Sequence, residues 1–198
     1  VNVIADSTGQ IVDEAGNPAP VDVTYTLRAN LQEWDARNSN YTLDRNVVIS
    51  DTLVSQLTWN TAASDFIAVT ATPGVADGTT PITTLTPVTC PAVAPGATAA
   101  QIAEAFNGNA YVGNYCIDGQ RILINIGQDQ NTNVSIALKA QLHSVNGLTP
   151  NGTSTILGAT RYQLPNQAQF WHRNGARANA SNNQYPVKLP DDRSAGLN

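Results

Sequence analysis

Apolar and polar positions alternate along much of this chain. In Val21-Asp22-Val23-Thr24-Tyr25-Thr26-Leu27-Arg28-Ala29-Asn30-Leu31 every odd-numbered residue is apolar. Successive side chains of a strand point to opposite faces, so this run predicts a long, half-buried strand. Residues 46–53, 57–59, 65–72, 120–126, 134–142, 159–164 and 167–172 predict further strands, separated by Asn-Gly, Asp and Pro turn signals. Shorter extended pieces are expected at 1–5 and 10–12. Val1 to Ala5 has no strand partner nearby in sequence.

Helical spacing occurs once. Thr98 and Gln101 have capping-box spacing ahead of Ile102-Ala103-Glu104-Ala105-Phe106, and Asn107-Gly108 ends the segment. Residues 73–97 are rich in Pro, Thr, Gly and Ala and read as a long loop. The expected fold is all-β, an Ig-like antiparallel Greek-key β-sandwich with one short helix in an insertion. Its expected parts are an arm over 1–20, a sandwich over 21–171 interrupted by an insertion at 73–119, and a tail over 172–198.

Cys90 and Cys116 either pair or remain two separate buried thiols. Pairing is the preferred reading, because the segment between them is long and irregular. A bridge over 26 residues would stabilise the fold by roughly 3–4 kcal/mol in the chain-entropy model.

Composition narrows the function. Hydrophobic residues make up 41% of the 198, which is enough for a core, while charged residues make up only 13%. The formal net charge is −5, and the few Arg residues are scattered, so no nucleic-acid partner is expected. No apolar run approaches the ~20 residues of a membrane span, so no membrane insertion is expected. The chain has no Met and begins at Val1. An exported protein with its signal peptide removed is expected, at the cell surface or outside the cell.

Candidate chemistry is sparse. His143 and His172 lack the partners of a catalytic site, and Cys116 near Asp118 is explained more simply by the cysteine pair. No catalytic residue and no enzyme activity are expected. Asp13 and Glu14, and Asp129 and Asn131, place oxygen ligands in loops. Ca²⁺ is the ion such loops would take, but Asx turns explain them equally well. No other cofactor is expected. Asn40, Asn133, Asn151 and Asn179 begin N-glycan acceptor patterns. Trp34, Trp59 and Trp171 could form a sugar platform, although packing is the commoner use of such rings.

Three segments carry a resemblance. Val23-Thr24-Tyr25-Thr26-Leu27, then Asn46-Val47-Val48-Ile49-Ser50-Asp51-Thr52-Leu53 with Leu57-Thr58-Trp59, and finally Leu164-Pro165-Asn166-Gln167-Ala168-Gln169-Phe170 resemble an Ig-like repeat found in tandem in large bacterial and archaeal surface proteins. The second segment resembles its "V-x-I-x-D-T-L … L-T" strand and turn, and the third its closing "N-x-A" strand. The resemblance covers roughly residues 21–171 with the insertion skipped. It implies a structural or adhesive role without catalytic residues. The large insertion and the tail depart from the repeat. Related fimbrial modules form a Lys–Asn isopeptide bond. Here the opening strand has no Lys, and Lys139 is expected to point away from the core.

Two functional expectations follow. The first is an extracellular structural subunit that polymerises with copies of itself by strand addition. Candidate donors are Val1, Val3 and Ile4 at one end and Tyr185, Val187 and Leu189 at the other. The tail would then be pinned by neighbouring molecules. The second is a binding module of a large surface adhesin, with a glycan or other cell-surface ligand held by the 73–119 insertion.

Overall fold

Strand β3, Val21–Asn30, shows what the alternation does: Val23, Tyr25, Leu27 and Ala29 are buried, while Asp22, Thr24 and Arg28 are exposed. The computed structural model describes residues 3–30, 46–73, 82–127, 132–153, 160–171 and 187–188. Before β3 come β1 (Ile4–Ala5) and β2 (Ile11–Val12). After it come β4 (Val47–Thr52), β5 (Leu57–Trp59), β6 (Ile67–Pro73) and β7 (Thr86–Pro87). Helix α1 (Ala99–Ala105) and a 3-10 turn at Asn109–Tyr111 lead to β8 (Asn114–Asp118), β9 (Arg121–Gly127) and β10 (Thr132–Leu142). The chain then forms β11 (Pro150–Thr153), β12 (Thr160–Tyr162), β13 (Ala168–Trp171) and β14 (Val187–Lys188).

Two sheets face each other. In the first, β10 is central, with β3 along one side and β5 and β6 along the other. The second runs β14-β13-β4-β9-β8-β7. All pairings are antiparallel except β7 with β8. The chain passes back and forth between the sheets, so sequence-distant strands become neighbours: β3 beside β10, β4 beside β9 and β13. This is the Ig-like Greek-key sandwich the strand pattern predicts.

The core between the sheets is built from alternate residues of each strand. Tyr25 and Leu27 of β3, with Ile136 and Leu138 of β10, meet Val47 and Ile49 of β4, Ile122, Ile124 and Ile126 of β9, and Phe170 of β13. Trp59 packs edge-on to Phe66, with ring centroids 6.3 Å apart.

The second sheet is also covered on its outer face. Val48, Leu123, Cys116 and Trp171 project away from the main core and pack with Ile102, Ala103 and Phe106 of the helical segment. Strands β4 and β9 are therefore buried on both faces and lose the alternation, reading Val-Val-Ile-Ser-Asp and Ile-Leu-Ile-Asn-Ile. The expected insertion at 73–119 contains this cover. It also contains β8, whose Tyr115 and Ile117 pack toward the main core while Cys116 packs under the cover.

One expectation fails at Ile4 and Ala5, which do have a partner nearby in sequence: β1 pairs with β2, matching Ile4 with Val12. The Asp6–Gly9 turn makes this possible. Asp6 Oδ1 accepts hydrogen bonds from the Thr8 amide at 2.8 Å and the Gln10 amide at 3.1 Å. Gly9 has φ +86°, and a Cβ there would meet Asn146 Cβ at 2.8 Å.

Cys90 and Cys116 form a disulfide, which ties the cover to strand β8. Replacing both with Ser is expected to lower stability by roughly 3–4 kcal/mol, from the loop the bridge closes. Denaturant unfolding of the two forms checks this; an unchanged midpoint would contradict it.

Candidate functional site

The cover lies outside the two facing sheets, and its attachment is specified in detail. Helix α1 starts with a complete capping box. Thr98 Oγ1 accepts from the Gln101 amide at 3.2 Å, and Gln101 Oε1 accepts from the Thr98 amide at 2.9 Å. With seven residues the helix is too short to persist alone. Ile102, Ala103 and Phe106 anchor it, and Phe106 is fully buried and stacks on Tyr111 with centroids 4.7 Å apart. Burying one such ring contributes about 1.5–3 kcal/mol.

Asparagines fix the other end of the helix. Asn125 of β9 is fully buried, and its Nδ2 donates to the Phe106 carbonyl at 2.9 Å and the Gly108 carbonyl at 3.3 Å. Its Oδ1 accepts from the Gly127 amide at 3.0 Å. Asn46 Nδ2 donates to the Asn107 carbonyl at 2.8 Å and to Asn109 Oδ1 at 3.0 Å, and Asn107 Nδ2 donates back to the Asn46 carbonyl. These side chains satisfy the backbone groups a helix end leaves open. Trp171 Nε1 donates to Ser50 Oγ at 2.8 Å beneath the cover. The outer surface of the cover, with Ala92-Val93-Ala94-Pro95-Gly96 and Val112, is left to solvent.

A second cluster lies inside the sandwich. Asp51 shares its face of β4 with Val47 and Ile49 and is 1% exposed. Asn166 Nδ2 donates to Asp51 Oδ2 at 2.7 Å and ties the segment before β13 to β4. Asp51 Oδ1 and Asn166 Oδ1 are both buried without a hydrogen-bond partner. Burial pushes the Asp51 carboxyl up from 3.8 to about 6, and the Asn166 hydrogen bond only partly opposes this. The sequence pattern puts Asp51 in the predicted strand over 46–53 and gives it no partner. Asp51 and Asn166 are both polar residues of the two motif segments, Asp51 within the one that forms β4 and Asn166 in the one that leads into β13.

The sequence-proposed residues are dispersed. Asp13 Oδ1 accepts from the Ala15 amide at 2.9 Å and the Asn17 amide at 2.8 Å, and Oδ2 accepts from Asn17 Nδ2 at 3.3 Å. These bonds, the Asn17 amide foremost, hold its carboxyl below the usual range. An Asx turn thus accounts for Asp13, with exposed Glu14 beside it. Asp129 and Asn131 lie outside the described residues. Among the described residues no three His, Cys, Asp or Glu side chains group as a metal site would require.

Of the strand-donor candidates, Val3 packs against the core and Ile4 is exposed in the β1–β2 hairpin. Val187 pairs with Phe170 of β13 in its own chain. Val1, Tyr185 and Leu189 lie outside the described residues. Trp59 and Trp171 are buried, and Trp59 Nε1 donates to the Gln120 carbonyl at 3.0 Å, so neither ring offers a sugar platform. Trp34, His172, Asn40 and Asn179 lie outside the described residues. His143 is exposed, 2.6 Å from Thr58 Oγ1 through Nε2. Lys139 pairs with Asp65 on the surface side of β10.

No protein-family model matches the chain. No curated protein matches it either. Among solved structures it is similar to the collagen-binding domain of the Erysipelothrix rhusiopathiae surface protein RspB, with TM-score 0.41 and 13% identity, over 84% of this chain and 40% of that one. It is also similar to the collagen-binding domain of a Staphylococcus aureus adhesin, with TM-score 0.41 and 12% identity, over 84% of this chain and 86% of that one. A third similar structure is the S. aureus collagen adhesin, with TM-score 0.42 and 11% identity, over 86% of this chain and 45% of that one. No helix among the described residues is long and apolar enough to cross a membrane.

Asp51 gives a pH prediction. Its carboxyl binds a proton more tightly folded, at about 6, than unfolded, near 3.8. The stabilisation is complete below the unfolded value and is lost as pH rises through the folded one. From pH 5 to 7 the folding equilibrium constant is expected to fall about tenfold more in the wild type than in Asp51→Asn, about 1.4 kcal/mol. Denaturant melts of both proteins across that range check this; parallel pH profiles would contradict it.

Proposed function

We propose that the chain is an Ig-like binding module of a large cell-surface adhesin, and that the cover presents its ligand surface. The carrying observation is that the cover is fixed by a disulfide, a capping box and buried asparagines while its outer face remains free. A surface held this rigidly loses little entropy when it binds. Binding residues concentrate on loops positioned by a stable scaffold. The ligand is a glycan or a protein of the extracellular surroundings, and the disulfide suits an oxidising compartment.

Polymerisation by strand donation has less support. The segment around Ile4 and the segment around Val187 are both paired within their own chain. Val93 and Val112, each more than one third exposed, are the apolar anchors the cover offers to a ligand.

A glycan microarray and immobilised collagen, probed with the intact chain, test this. Binding is expected on at least one surface, with Val93→Asp combined with Val112→Asp weakening it at least about tenfold and leaving thermal stability unchanged. No binding to either set, or binding that survives the double substitution, would overturn the assignment.

A further inference from the structure

Among the described residues strand β3 is the end strand of the first sheet. Among the described residues it pairs with β10 along one side and with no strand along the other. It runs for ten residues without Pro, and its ladder with β10 has no bulge. A regular edge of that length presents a row of amides and carbonyls that can template another strand, and proteins usually interrupt such edges. This one is not interrupted.

Its solvent face carries Asp22, Thr24, Thr26 and Arg28. Asp22 Oδ1 takes only long amide hydrogen bonds, 3.3 Å from Gln141 and 3.5 Å from Asn60. Among the described residues Asp22 has no cationic partner and Arg28 no carboxylate partner. The strand thus holds one charge of each sign without an opposite partner among the described residues, symmetrically placed three residues either side of Tyr25.

That symmetry fits a second copy of the same strand. In an antiparallel pair, directly opposite residues share a face. A two-fold axis at Tyr25 sets Asp22 of each copy opposite Arg28 of the other, and Thr24 opposite Thr26. The symmetry repeats every contact, so both ends of the ladder gain an ion pair together. Slipping by one residue would turn apolar positions outward, and slipping by two would part the charges.

We propose that the β3 edge docks β3 of a second copy, giving a two-fold dimer in which the two first sheets become one continuous sheet. The contact is a main-chain ladder with paired charges at its rim, small in area and so of modest affinity. It is separate from the cover, which sits on the outer face of the other sheet, and it leaves the proposed ligand surface free.

Sedimentation velocity of the intact chain, up to about 1 mM, tests this. A concentration-dependent dimer is expected. Asp22→Arg sets like charges opposite one another at both ends and is expected to weaken association about tenfold. Asp22→Arg combined with Arg28→Asp restores opposite charges and is expected to recover the wild-type constant within about twofold. Circular dichroism confirms that the variants keep the fold, since both positions are exposed. A monomer at every concentration, a single variant that dimerises like the wild type, or a double variant that stays weak would each overturn the proposal.

Discussion

Everything outside the central core depends on one constraint: the second sheet has to be buried on both faces. Strands β4 and β9 carry apolar side chains outward as well as inward, so an uncovered outer face would leave Val48, Leu123 and Trp171 in water. The helical segment supplies that cover, and the disulfide and the Asn125 bonds keep it seated. The cover is thus a packing necessity on its inner side and exposed surface on its outer side. Its inner residues are dictated by the sheet, and its outer residues are not.

Polar groups mark where this constraint is strictest. Asn125 sits in a strand between Ile124 and Ile126, where a branched apolar residue would pack as well. Its amide instead meets the Phe106 carbonyl at the end of α1 and the Gly108 carbonyl just beyond it, which also accepts from the Tyr111 amide. Asp51 plays a less settled part. A carboxyl beside the core, with one bond from Asn166 and one oxygen unpartnered, is held in place by its surroundings and stabilises them little when ionised. The closing strand β13 is therefore joined to β4 by a ladder that is indifferent to pH and a side-chain bond that is not.

The legible parts of the sequence were those with one buried face. β3 and β10 alternate cleanly, and both were read nearly to their ends. The capping box at Thr98 and Gln101 also named its helix correctly, because that signal is local. Strand β8 was absorbed into the insertion because Asn114-Tyr115-Cys116-Ile117-Asp118 alternates only weakly and its neighbours are loops. The β1–β2 pairing was missed because its strands are two residues long, too short for periodicity, and its register is set by the Asp6 and Gly9 turn. The Asp51–Asn166 pair joins positions 115 apart in sequence, so the two motif segments show its polar members but not that they meet.

The placement of the disulfide also has a mechanical consequence. The strand that opens the sandwich and the strand that closes it lie in opposite sheets, β3 against β10 and β13 against β4. Tension applied between Val21 and Trp171 is carried by those two ladders and by the apolar layer between them. The cover branches off between β6 and β8, and the Cys90–Cys116 bond closes that branch onto itself. The loop that carries the outer surface is thus closed off from the strand ladders that bear the load, and it meets the second sheet through its packing on Val48, Leu123 and Trp171.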